Sequence, residues 1–94
     1  MPAVVRLGDK CSGHGCFPSR PNAEASSDTF VNGRGVHRLG DNWQPHCCGG
    51  CHSGVASSGS SSVFVNGKPV CRIGDSISCG STMMEGSNDV FAGG

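Results

Sequence analysis

The chain has 94 residues, of which 35% are apolar and 5% aromatic, and its seven Lys and Arg balance seven Asp and Glu. That length bounds it to a single domain, residues 1–94. A neutral chain without a Lys/Arg cluster is a poor partner for nucleic acid, and no stretch approaches the roughly 20 apolar residues of a membrane helix. Large apolar side chains are scarce while Gly reaches 16, so the core must be thin. Domains of this kind draw on a metal, disulfides or a partner subunit.

In chain order, Met1-Pro2-Ala3 leads into Val4-Val5-Arg6-Leu7-Gly8-Asp9 with no apolar leader, so synthesis in the cytoplasm without a signal peptide is expected. A loop over residues 10–27 follows. Then comes Phe30-Val31-Asn32-Gly33-Arg34-Gly35-Val36-His37-Arg38-Leu39-Gly40-Asp41. After a second loop, 42–61, the same text returns as Phe64-Val65-Asn66-Gly67-Lys68-Pro69-Val70-Cys71-Arg72-Ile73-Gly74-Asp75. A third loop, 76–88, leads to Val90-Phe91-Ala92-Gly93-Gly94. That last segment is the first half of a repeat whose second half, Val4 to Asp9, stands at the other end. The termini are therefore expected to pair, 3–7 with 89–92, and complete a third unit.

Asn32-Gly33 and Asn66-Gly67 lie between short apolar runs and predict two-residue hairpins of type I′. Gly-Asp at the end of each second strand predicts a chain reversal. No window carries a sustained helical period with caps. The expected fold is all-β: a small conical body of three pseudo-threefold β-hairpin repeats, metal-stabilised, with few or no helices. The Ser-rich run 57–62 feeds directly into a repeat strand and is expected to be ordered.

Cys and His sort by repeat position. Val5, His37 and Cys71 are equivalent, and a place that accepts all three reads as packing. Arg6, Arg38 and Arg72, with Asp9, Asp41 and Asp75, read as structural ion pairs or turn bonds. The loops carry the rest: Cys11, His14 and Cys16; His46, Cys47, Cys48, Cys51 and His52; and Cys79. Trp43 is expected to roof the second of these loops. Seven cysteines leave one over in a disulfide framework, and cytoplasmic synthesis disfavours disulfides during folding. Metal ligation by some and burial of the others is the preferred reading. Zinc takes four N/S ligands, and a closed site joining three Gly-rich loops would add folding free energy. The spacing allows two sites. One is His14, His46, His52 and Cys79. The other is Cys48 and Cys51 with Cys11 and Cys16. A C-x-x-C pair also suits a redox dithiol, but the βαβ context of that reading is missing.

The repeated Val-Asn-Gly-Lys-Pro-Val-Cys-Arg-Ile-Gly-Asp segment resembles the PAAR-repeat family, named for a Pro-Ala-Ala-Arg motif. Here the motif is degenerate, as Pro69-Val70-Cys71-Arg72 and Gly35-Val36-His37-Arg38. The Asn-Gly, Arg and Gly-Asp frame and the Ser-x-Ser-Cys-Gly-Ser run around Cys79 are kept, and the likeness covers essentially the whole chain. The short stand-alone form and the 43–52 loop look closest to spike-tip proteins of T4-like phages.

The resemblance implies a non-enzymatic tip on the spike of a contractile injection machine, a phage tail or a type VI secretion system. It implies one chain on a homotrimeric β-helical spike, and one metal, zinc or alternatively iron, held by three His and one Cys. These map to His14, His46, His52 and Cys79. It implies no nucleic acid, transient contact with a target membrane, and cargo bound non-covalently, because the chain ends inside a repeat. It also implies synthesis in the bacterial cytoplasm and a final place in the virion tail or in the delivered machine. The competing readings are a free-standing zinc-binding interaction module and, behind it, a thiol redox protein.

Overall fold

Three backbone N–H groups set the architecture. Val5 donates to the Cys71 carbonyl, Cys71 to His37, and His37 to Val5, each at 3.0 Å. These residues occupy one repeat position, so the ring of bonds encircles a pseudo-threefold axis. All three side chains are fully buried (0% exposed), as a packing position requires. The computed structural model describes residues 1–93. Among them there is no helix, and the chain is elongated, with extents of 37 × 24 × 22 Å.

The hairpins form where Asn-Gly predicts them. Strand β1 (Phe30–Val31) pairs antiparallel with β2 (Arg34–Gly35), and β5 (Phe64–Val65) with β6 (Lys68–Pro69). Asn32 and Asn66 have φ of 54° and 55°, followed by Gly33 and Gly67 at 76° and 75°, the two positive values of a type I′ turn. The third hairpin closes across the termini. Ala3 bridges Phe91, Val4 N–H donates to the Val90 carbonyl, and Ala92 N–H donates to the Pro2 carbonyl, both at 3.0 Å.

The strands that were expected to run up to each Gly-Asp shrink to single bridges, Val4 to Arg72, Arg6 to Val36 and Arg38 to Val70. Each segment turns around the axis and meets a different neighbour every two residues, so no ladder grows long. The Arg-x-Gly-Asp turns are held alike. In every unit the Arg N–H and Nε donate to one carboxylate oxygen of the Asp three residues on, and Nη2 donates to the other, at 2.7–3.1 Å. Nη1 reaches a neighbouring turn: Arg6 to Asn32, Arg38 to Asn66 and Arg72 to the Gly93 carbonyl. The Ser-rich approach is ordered, with Ser26, Ser60 and Ser87 each donating backbone N–H to the Val of the repeat at 2.8 Å.

Two apolar clusters sit along the axis and share no residue. Val4, Val36, Val70 and Ala92 form the first, with Val31 and Val65 packed against it. Val5, Cys11, Trp43, Ala56, Cys71, Ile77 and Met83 form the second, with Cys79 against it. Trp43 is thus a core residue, its ring edge-on to His37 at 5.0 Å, and does not roof a loop. An indole of that size fills space the small aliphatic residues around it cannot.

Candidate metal centre

Loop 10–27 folds back on itself at residues 14–17. His14 N–H donates to the Phe17 carbonyl at 3.1 Å and Phe17 N–H to that of His14 at 2.9 Å. Gly13 allows this: a Cβ there would stand 2.6 Å from the Phe17 carbonyl oxygen. Loop 42–61 contains a fourth hairpin that sequence reasoning did not anticipate. Strand β3 (His46–Cys47) pairs with β4 (Cys51–His52), in a register that sets His46 opposite His52 and Cys47 opposite Cys51. The text His-Cys-Cys-Gly-Gly-Cys-His held that signal as a near-palindrome about a Gly-rich turn. Loop 76–88 closes as Gly80 N–H donates to the Ile77 carbonyl, and its Ser78 ties to Val55 through both backbone and side chain, at 2.9–3.0 Å.

These three loops bring His14, His46, His52 and Cys79 together, with one ligand atom of each lying within 4.8 Å of the others. Nε2 of His52 is 2.7 Å from Nε2 of His46 and 3.1 Å from Nε2 of His14. A tetrahedral zinc with bonds of about 2.0–2.1 Å needs ligand nitrogens about 3.3 Å apart, close to what is found. His46 Nδ1 donates to the Pro18 carbonyl at 3.0 Å, which fixes the tautomer and leaves Nε2 as the free lone pair. His52 can donate one N–H to one of its two neighbours; a cation at the convergence satisfies all three nitrogens. The donor set therefore fits a metal. His46 is buried, while His14, His52 and Cys79 are half-buried. Phe17 walls the cluster, its ring centre 4.1 Å from that of His52 and 4.9 and 5.0 Å from those of His46 and His14. Desolvation, with the neighbouring His46 and His14 imidazoles, pushes the His52 pKa below the usual histidine range.

The alternative set does not assemble. Cys11 is buried in the core, where its sulfur accepts the Arg20 N–H at 3.4 Å. Cys16 is bonded to Cys48, and Cys47 to Cys51. The expectation that cysteines beyond the metal site are buried thiols is thus corrected: it holds for Cys11 and Cys71, while the other four form two disulfides. The register of β3 and β4, which holds Cys47 and Cys51 with Cα atoms 4.0 Å apart, is what a reading by C-x-x-C spacing missed.

A family model described as PAAR motif matches residues 18–85 and again 52–94. No curated protein matches the chain with significance.

Proposed function

The chain belongs to the PAAR-motif family, a structural spike-tip module of contractile injection machines, and from that premise we propose that it caps one homotrimeric β-helical spike, one chain per trimer. The observation that carries this reading is a ring of phenylalanines. Phe30, Phe64 and Phe91 hold one repeat position and are 59%, 54% and 49% exposed. Phe91 also lines a shallow apolar cavity of about 140 Å³, together with Val4, Val31, Val36, Val65, Val70 and Ala92 among others. An exposed apolar patch with pseudo-threefold repetition marks an interaction surface. A trimeric β-helix ends in three strand edges that need cover. One chain with three similar units can cover all three at once.

The role is mechanical: the sheath drives the spike, and the tip concentrates force on the target envelope. His14, His46, His52 and Cys79 hold one zinc in this reading, which joins three loops with little apolar cover into one body. The chain is made in the bacterial cytoplasm and leaves it as part of the machine.

The reading is tested by mixing the chain with the terminal fragment of a trimeric β-helical spike and measuring stoichiometry by native mass spectrometry. One chain per trimer is expected, and combined Phe30→Glu, Phe64→Glu and Phe91→Glu should abolish capping while zinc content holds. Three chains per trimer, or a contact made through the His-bearing loops, would overturn it.

A further inference from the structure

The seven cysteines fall into three chemical classes. Cys11 and Cys71 are buried among apolar side chains, and burial pushes the Cys71 thiol up to about 12, which makes it unreactive at neutral pH. Cys79 faces the three imidazoles. The remaining four form the disulfides, and Cys16, Cys47 and Cys51 are exposed to solvent. Accessible disulfides are those that exchange with outside thiols.

Both bonds brace the imidazoles. Cys47 and Cys51 are the register pair next to His46 and His52. Cys16 sits in the turn closed by His14 and Phe17, so its bond to Cys48 ties the turn that carries His14 to the hairpin that carries the other two histidines. Neither disulfide reaches the loop of Cys79. A lone two-stranded hairpin is marginal in water, and residues 47–52 are exposed or half-buried throughout. The arrangement of the three histidines thus rests on these covalent bonds together with the packing of Phe17 against the three rings.

We infer that the two disulfides are a redox-operated lock on this site. Closed, they hold His14, His46 and His52 in the ligating arrangement; opened, they let the hairpin and turn separate and the metal exchange. The inference rests on the metal reading above and deepens it. Each bond closes when one cysteine thiolate attacks the disulfide of an oxidant of that class, small or protein-borne. The second cysteine then displaces the oxidant from the mixed disulfide. The chain gives up two electrons and two protons per bond, and the oxidant's disulfide takes them as two thiols. In a reducing cytoplasm the four thiols persist and the site loads freely. In an oxidising space the lock shuts around the ion.

The test uses the full chain loaded with Zn²⁺ in reduced and in oxidised form, with thiols counted by alkylation and mass. Release is followed with a chromogenic chelator. Oxidised chain should release zinc on the order of tenfold more slowly, because the cross-links restrict the opened state. The pairs Cys16→Ser/Cys48→Ser and Cys47→Ser/Cys51→Ser should each speed release from oxidised chain, and the quadruple variant should ignore reductant. Amide exchange at Val5, His37 and Cys71 should stay protected throughout. Equal release rates in the two forms would overturn the lock, as would four alkylatable thiols at these positions after incubation with excess oxidised glutathione. Loss of amide protection on reduction would mean the disulfides hold the whole fold, and would overturn it too. A chain that takes up no zinc in either form fails at loading, before any rate is read, and overturns the metal reading itself.

Discussion

At the hairpin end the bonds recur: an Arg–Asp clamp within each unit, and between units an Nη1 contact to a neighbouring turn and a Ser hydroxyl on the same turn position, as Ser26 on Asn66 and Ser87 on Asn32. At the loop end recurrence stops at the bases, where Ser12, Gln44 and Ser78 donate to the Thr82, Pro21 and Val55 carbonyls, and beyond them the three loops differ. One loop brings His14, one brings a hairpin with two histidines, one brings Cys79; one disulfide joins the first two loops and the other closes the hairpin. The difference follows from composition. Where the chain repeats itself, three weak contacts become a closed ring and small valines suffice to fill it. Where the loops differ, no symmetric packing is available, and cross-links must do what a core does elsewhere.

The comparison breaks most sharply at Cys79. Cys79→Ala should remove tight zinc binding. In the parent chain, zinc at a thousandfold over its Kd should raise unfolding free energy by about 4 kcal/mol, a gain the variant should lack. Hydrogen exchange should show the loss in residues 14–17 and 46–52, while the ring of Val5, His37 and Cys71 keeps its protection. Elemental analysis and denaturant titration with and without chelator check both parts.

The hairpin end should be most sensitive at its carboxylates. Asp41 is fully buried and accepts three bonds from Arg38 at 2.9–3.0 Å. Asp41→Ala leaves the guanidinium without its counter-charge and should cost about 3–5 kcal/mol. Asp75 is slightly more open, at 7% against 0%, so Asp75→Ala should cost less. Denaturant midpoints of the zinc-loaded chains give the ranking. Equal costs at both positions would mean burial does not set the difference.

A smaller effect is expected where the units touch backbone to backbone. A Cβ on Gly35 would run into the Ser26 carbonyl and approach the Ala25 Cβ to 3.2 Å. Gly35→Ala should therefore cost about 1–3 kcal/mol by overpacking. Ala25→Gly should restore little of it, since the carbonyl is the harder obstacle. Full rescue by that second change would show the side-chain contact to be the one that matters.

What the residue pattern revealed maps onto the same two ends. The repeat announced the hairpins, the closure of the termini and the burial of Val5, His37 and Cys71, because each follows from local turn chemistry or from equivalence. It also pointed to the loops that bring His14, His46, His52 and Cys79 together. The disulfides were not legible. Cys16 and Cys48 meet only through the fold, at a sequence separation of 32. Cys47 and Cys51 meet through a hairpin register that a reading by C-x-x-C spacing passes over. Trp43 was misplaced for a related reason: a loop position said nothing about which way the side chain turns, and the core it fills is assembled from all three units.

The smallest expected effect joins the two ends, because His37 belongs to the ring and touches Trp43. Its Nδ1 donates to the Glu24 carbonyl at 2.7 Å, its Nε2 has no hydrogen-bond partner among the described residues, and the Asp41 carboxylate stands 3.9 Å from Nδ1. Burial pushes its pKa below the ordinary 6.5, and the Glu24 carbonyl and Asp41 offset this in part, while Arg38 adds to it. In the unfolded chain the imidazole titrates near its ordinary value of about 6.5. Between that value and the lower folded one, the unfolded chain binds a proton the folded chain refuses. Stability is thus fully present above about pH 6.5 and falls as pH drops through that value toward the folded pKa, then levels below it. His37→Cys adopts the residue of the equivalent position, where the Cys71 sulfur lies 3.6 Å from the Ser58 carbonyl. In metal-free, disulfide-bonded protein, parent and variant differ at this one residue. The difference between the two denaturant midpoints, followed from pH 8 to pH 5, then isolates His37. It should move in favour of the variant as pH falls. Midpoints that stay parallel across that range would show that the ring does not resist protonation of His37.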